Sequence, residues 1–203
     1  QWDIFSKHIK GRKRAIGVTE SQLNKQKLAS SFINLNGNSY YDFKLKIDLL
    51  FLSKGSGGIA FRVQDEFNFY AFVIDKNLGY KAIGIMVNGE FSILKKISDG
   101  GILLNDWHEI IITVNVGKIK VHMYDKEIAT KAVSEKTFEV EDSTYIKGGV
   151  SIFVNGINGF FFDNFEIEPL VCWSPWEPKI KTEIVPKNPN SNIFTEDFSG
   201  NLE

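Results

Sequence analysis

Cysteine is almost absent from these 203 residues. Cys172 stands alone, so no disulfide closes within the chain, and its thiol is either free or bridged to another chain or a missing segment. Proline is scarce as well, 5 in all, with Pro175, Pro178, Pro186 and Pro189 gathered after Leu170. No run of about 18 apolar residues reads as a membrane-spanning helix, and the N-terminus has no apolar signal core, so for a secreted protein Gln1 is a mature or trimmed end. The absence of any Asn-x-Ser/Thr sequon removes N-glycosylation as a mark of compartment. Neither sign of charge is in excess, with 24 Lys and Arg against 25 Asp and Glu. Long-range steering toward nucleic acid or an anionic membrane is not implied, and any charged partner is met locally.

Catalytic patterns are missing too. His8, His108 and His122 lie far apart without metal-ligand spacing, and there is no Gly-x-Ser-x-Gly elbow and no phosphate loop. Cys172 has no nearby base. A glycosidase needs two carboxylates facing one sugar, ~5 to 9 Å apart. The Glu-x-Glu pairs are Glu139 with Glu141, followed by Asp142, and Glu166 with Glu168. The first reads as a solvated strand edge.

What the chain does have is apolar mass, 43% hydrophobic with 17 Phe, enough for one large all-β core. From about residue 27 to 170, short runs rich in Ile, Val, Phe and Tyr are broken at roughly ten-residue intervals by Gly, Asn and Asp, the rhythm of an antiparallel sandwich. Candidate strands are 27–35, 41–52, 58–64, 69–76, 80–87, 90–97, 107–116, 118–124, 127–133, 149–154 and 159–168. Asn88-Gly89 suits a two-residue hairpin, Asn77-Leu78-Gly79 a three-residue loop, and Asp125-Lys126 another tight turn. Strict alternation places Phe43, Leu45, Ile47 and Leu49 in the core, and Ile119, Val121 and Met123 likewise. The expected division is a sandwich over 1–170, a Pro-rich linker or strap over 171–192, and at 193–203 a strand completing the sandwich or the start of a next repeat. A tail strand beside Phe160 to Ile167 would protect an open edge.

Particular residues sharpen the fold class. Gly58-Ile-Ala-Phe-Arg62, Tyr70 to Asp75, Gly79-Tyr80-Lys81, Asp106-Trp107-His108-Glu109 and Phe162-Asp163-Asn164-Phe165 follow one another in an order that resembles the concanavalin A-like lectin/glucanase superfamily. More narrowly, the chain is similar to laminin-G-like domains, the thrombospondin C-terminal domain and the 3-keto-disaccharide hydrolase family. The resemblance covers about 27–170 and implies an antiparallel jelly-roll β-sandwich. It implies a non-catalytic recognition, adhesion or scaffolding module, secreted or on the cell surface, that binds a glycan or protein beside neighbouring domains or repeat copies. The alternative is a glycoside-active hydrolase or a degenerate relative of one, because this superfold hosts both.

Candidate ligand contacts follow from alternation. Arg62 and Gln64 point outward between Phe61 and Val63, with Asn68, Tyr70 and Tyr80 on adjoining strands, a set of guanidinium, amide and ring suited to sugar or peptide. Tyr70 and Tyr80 have a core reading as well. Period two places Asp163 on the side of Phe161, Phe165 and Ile167, so its carboxylate needs backbone amides, an arginine or a cation. Related folds hold a structural calcium there, and the resemblance implies Asp163 as a ligand. The basic stretch Lys7 to Arg14 reads as a solvated loop, an anion site or a processing site, and Trp173 and Trp176 read as anchors of the strap.

Overall fold

The computed structural model describes residues 2–5, 9–24, 28–35, 37–126 and 133–170. These carry strands and turns, with no helix among them. In chain order the strands are β1 (Asp3–Phe5), β2 (Ala15–Val18), β3 (Ser31–Asn34), β4 (Phe43–Phe51), β5 (Ser56–Asp65), β6 (Asn68–Asp75), β7 (Tyr80–Val87), β8 (Glu90–Ile97), β9 (Trp107–Asn115), β10 (Lys118–Lys126), β11 (Val133–Glu141), β12 (Gly149–Asn155) and β13 (Phe160–Pro169). One sheet runs β1-β2-β13-β4-β9-β10-β11 and the other β3-β12-β5-β6-β7-β8, every pairing antiparallel. This is the all-β sandwich expected from the period-two runs.

The main core lies between the layers. Phe43, Leu45, Ile47 and Leu49 enter it from β4, and Ile119, Val121 and Met123 from β10, all fully buried and all predicted by alternation. Asn88 and Gly89 close the β7–β8 hairpin with φ of 51° and 85°, the doubly positive geometry of the two-residue turn. The N-terminus is held by Trp2, whose Nε1 donates to Ser31 Oγ at 2.8 Å and whose ring meets Phe160 and Phe162 edge-on, both at 6.0 Å.

Two further apolar clusters cover outer faces. On the seven-stranded sheet, Ala15, Leu50, Trp107 and Phe161 pack beneath Phe5 and Ile9. On the six-stranded sheet, Ala60, Phe69, Ala71, Val73, Met86 and Phe153 pack beneath Leu28 and Ala29. The inner strands β6 and β7 are therefore apolar on both faces, as their nearly unbroken apolar sequences require.

Some expectations change. β1 and β2 had no sequence forecast. Asp125 and Lys126 are not a turn but the last pairs of β10, opposite Ser134 and Val133; the next described strand is Val133–Glu141, and the strand expected at 127–133 lies, but for Val133, outside the described residues. Over Phe160–Phe162 β13 pairs with β2, and the tail strand expected beside Phe160 to Ile167 lies outside the described residues. The readings for 171–203, including Cys172, Trp173 and Trp176, lie outside the described residues, as do those for Lys7 and His8.

Candidate functional site

The outer face of the six-stranded sheet carries an open groove of about 1240 Å³. Its floor is a row of cross-strand neighbours, Phe69 opposite Met86 and Met86 opposite Phe91. The Phe91 ring lies over Gly84, where an added Cβ would stand 2.3 Å from it. One wall is lined by residues 20–24 and 28–32, the last being Phe32 of β3, which meets Phe69 edge-on at 5.7 Å and Phe153 at 5.8 Å. The other wall is the β5–β6 turn with Glu66 and Phe67. Phe32 and Phe67 remain 38% and 47% exposed, so aromatic surface is open to a ligand rather than consumed by packing.

Polar groups rim the same groove. Gln22, Glu20 and Glu66 are exposed along it, and no Lys, Arg or His lies among the described lining residues. Part of the rim is fixed in place: Asn155 Nδ2 donates to Asn24 O at 2.9 Å, and Ser30 Oγ donates to Val154 O at 3.1 Å. Among the described residues the groove offers aromatic surface to apolar faces and an amide and two carboxylates to hydrogen-bond donors.

The predicted contacts do not assemble there. Arg62 does not face outward: a bulge between Phe61 and Asp65, with Arg62 at φ 48°, turns it into the end of the sandwich, 2% exposed. Its Nε and Nη2 donate to Tyr41 O at 3.1 and 2.9 Å, Nη1 to Tyr145 O at 2.8 Å, and Nη2 also to Asp42 Oδ1 at 2.9 Å. Burial lowers the pKa of this guanidinium, opposed by Asp42. Gln64 spends its amide on Arg62 O and Lys147 O. Asn68 donates to Asp65 and accepts from the Asn88 N–H and the Tyr145 hydroxyl.

Tyr70 takes its core reading. It is fully buried, stacked on Phe61 at 5.7 Å, and donates to Asp142. Burial, then the Asp142 bond, push its hydroxyl up to about 12. Tyr80 alone of the five lies half-buried on the outer face, with Lys96 Nζ 4.4 Å from its ring centre.

Asp163 is not on the core side. The bulge after it, with Asn164 at φ 51°, reverses the alternation, so Phe162, Phe165 and Ile167 face the core while Asp163 faces out beside Phe161. Arg12 donates to Asp163 at 3.2 Å and to Asp48, and its guanidinium sits 4.9 Å from the Trp107 ring centre. Arg12 is thus an internal tie and not part of a solvated basic loop. Calcium takes about 6–8 oxygen ligands. Here a guanidinium already holds both carboxylates, and no group of three His, Cys, Asp or Glu able to hold a metal occurs among the described residues. These residues do not fit the implied calcium. The thermal midpoint is expected to agree within about 1 °C between chelator and added calcium; a dependence of several degrees would contradict this.

Glu139 and Glu141 stand exposed on the edge strand β11, with Val140 turned to the core. Glu139 pairs with Lys118 Nζ at 2.8 Å, which holds its carboxyl below the usual range. They read as the solvated strand edge expected.

No protein-family model and no curated protein matches the sequence. Solved structures do match in fold. The carbohydrate-binding module CBM66 from Bacillus subtilis superposes with a TM-score of 0.59 at 17% identity, over 83% of this chain and 91% of that one. CG-16, a homodimeric agglutinin from chicken liver, gives 0.52 at 12% identity, over 68% and 100%. A GH43 protein from Bacillus licheniformis gives 0.55 at 13% identity, over 78% of this chain but 34% of that one. The fold is the two-layered antiparallel β-sandwich that these structures share with the chain.

Proposed function

We propose that this chain is a non-catalytic carbohydrate-binding module that holds a neutral glycan in the groove of its six-stranded sheet. One observation carries the reading: the exposed rings of Phe32 and Phe67 flank a floor of Phe69, Met86 and Phe91, under a rim whose described residues bring an amide and carboxylates and no Lys, Arg or His. Sugar rings offer apolar C–H faces to aromatic rings and hydroxyls to amides and carboxylates. The likeness in fold to a carbohydrate-binding module and an agglutinin supports the same ligand class. We place the module on a secreted or surface protein, where such glycans are met, attached to neighbouring domains.

A glycan array carrying neutral, sialylated, sulfated and uronate-bearing oligosaccharides tests this. Retention is expected among the neutral glycans, because Glu20 and Glu66 repel anions, and bound oligosaccharides are expected to be recovered uncleaved. Retention confined to acidic glycans, or hydrolysis abolished by Glu139→Gln or Glu141→Gln, would overturn the reading and favour the hydrolase alternative.

A further inference from the structure

The groove is longer than one sugar needs, and its lining shows which way it runs. β12 extends from Gly149, opposite Val63 of β5, to Asn155, opposite Ser56. The wall of residues 20–24 and 28–32 follows it from the Asn155 end: the Gly156 N–H donates to Gln22 O at 3.2 Å, the Asn24 N–H to Asn155 Oδ1 at 2.7 Å, and the Ser30 N–H to Val154 O at 2.8 Å. Phe67 and Gly89 line the groove at the other end, where the Gly89 N–H donates to Phe67 O at 3.0 Å and so ties the β7–β8 turn to the β5–β6 turn. The seven residues of β12 separate these ends, about 20 Å of extended strand. The groove therefore lies along the strands.

Its capacity agrees with that length. About 1240 Å³ exceeds the roughly 300–1,000 Å³ of pockets that hold drug-sized molecules, and a single monosaccharide is smaller than those. The two ends also differ in chemistry. Toward the turns, Phe67, Phe69 and Phe91 supply ring surface, which Phe32 continues at 5.7 Å from Phe69. At the Asn155 end the exposed side chains among the described lining residues include Glu20 and Gln22. Both are carried on fixed backbone, since the Ser21 N–H between them donates to Ile157 O at 2.9 Å and the Gln22 carbonyl holds Gly156. Ring surface and hydrogen-bonding groups stand too far apart to serve one sugar.

Resting on the glycan reading above, we propose that the groove takes several consecutive units of a linear oligosaccharide laid along the strands. One part of the chain stacks on Phe67 and Phe91. Another, further along, is hydrogen-bonded by Gln22 and Glu20.

Calorimetric titration of the full chain with gluco-, xylo-, manno- and galacto-oligosaccharides of one to six units tests this. In a series that binds, affinity is expected to rise about tenfold from disaccharide to tetrasaccharide, as the chain reaches Gln22 and Glu20, and to level off by the hexasaccharide. Gln22→Ala is expected to weaken the hexasaccharide about fivefold and the disaccharide less, whereas Phe67→Ala weakens both. A monosaccharide or disaccharide bound as tightly as the hexasaccharide, or a hexasaccharide indifferent to Gln22→Ala, would overturn the proposal and leave the glycan reading standing. No binding anywhere in the four series would count against the glycan reading itself and end the proposal with it.

Discussion

Arg62→Met is expected to lower the unfolding free energy by about 3–5 kcal/mol, because it strands the Asp42 carboxylate in a buried site. The carbonyls of Tyr41 and Tyr145 lose their donors at the same time. The left-handed backbone remains, now under a side chain that makes none of these bonds. The thermal midpoint should fall by roughly 10 °C or more. Arg62→Lys keeps the charge but not the planar fork that spans three acceptors, so it should fall between the two. Urea unfolding measures the difference; a loss under about 1 kcal/mol would show that Arg62 is not what holds this end of the sandwich together.

Gly58→Ala should be nearly as damaging, at about 2–3 kcal/mol. An added Cβ would stand 1.9 Å from the Phe72 carbonyl oxygen and 3.3 Å from the Phe153 ring. The first contact is backbone in the β5–β6 ladder, where Gly58 pairs with Val73, so relief means moving a strand. The second would shift Phe153 and, with it, the Phe32 wall of the groove. Glycan retention should therefore weaken along with stability. Gly37, with nothing within 4 Å of its added Cβ, serves as the control, and Gly37→Ala is expected within about 0.5 kcal/mol of the unaltered chain. Equal effects at the two positions would contradict this close approach.

How much of this was legible in the sequence differs from strand to strand. β7 and β8 were readable to the residue, because Asn88-Gly89 pins the hairpin and the apolar runs end where the pairing ends. β4 was readable because one face is charged and the other apolar. β1 and β2 were not, since three or four residues hold too little pattern and their strand character comes from pairing with each other and with β13. β11 was not forecast beyond Val133 because Val133 to Glu141 is mostly polar, and its apolar face comes down to a few residues such as Phe138 and Val140.

The site was harder to read for a related reason. Period two identifies faces only while the strand stays regular, and both misassigned polar residues sit at bulges. The register shift after Phe61 turns Arg62 inward, and the shift after Asp163 turns Asp163 outward. Nothing local announces an inserted residue there except, in hindsight, Asn164, a residue type that tolerates positive φ. The groove aromatics left a usable signal. Phe69 to Ile74 is apolar without interruption, which means both faces of β6 are covered, and the outer face had to meet either chain or ligand.

The central claim is that a neutral sugar stacks in the groove lined by Phe32, Phe67 and Phe91. Its most direct test is calorimetric titration of the tightest-bound array oligosaccharide into the unaltered chain and into Phe67→Ala, a turn residue already 47% exposed. Affinity should drop about tenfold with the thermal midpoint held within about 2 °C, and Glu139→Gln should bind as the unaltered chain does. Equal affinities for Phe67→Ala and the unaltered chain would contradict the account.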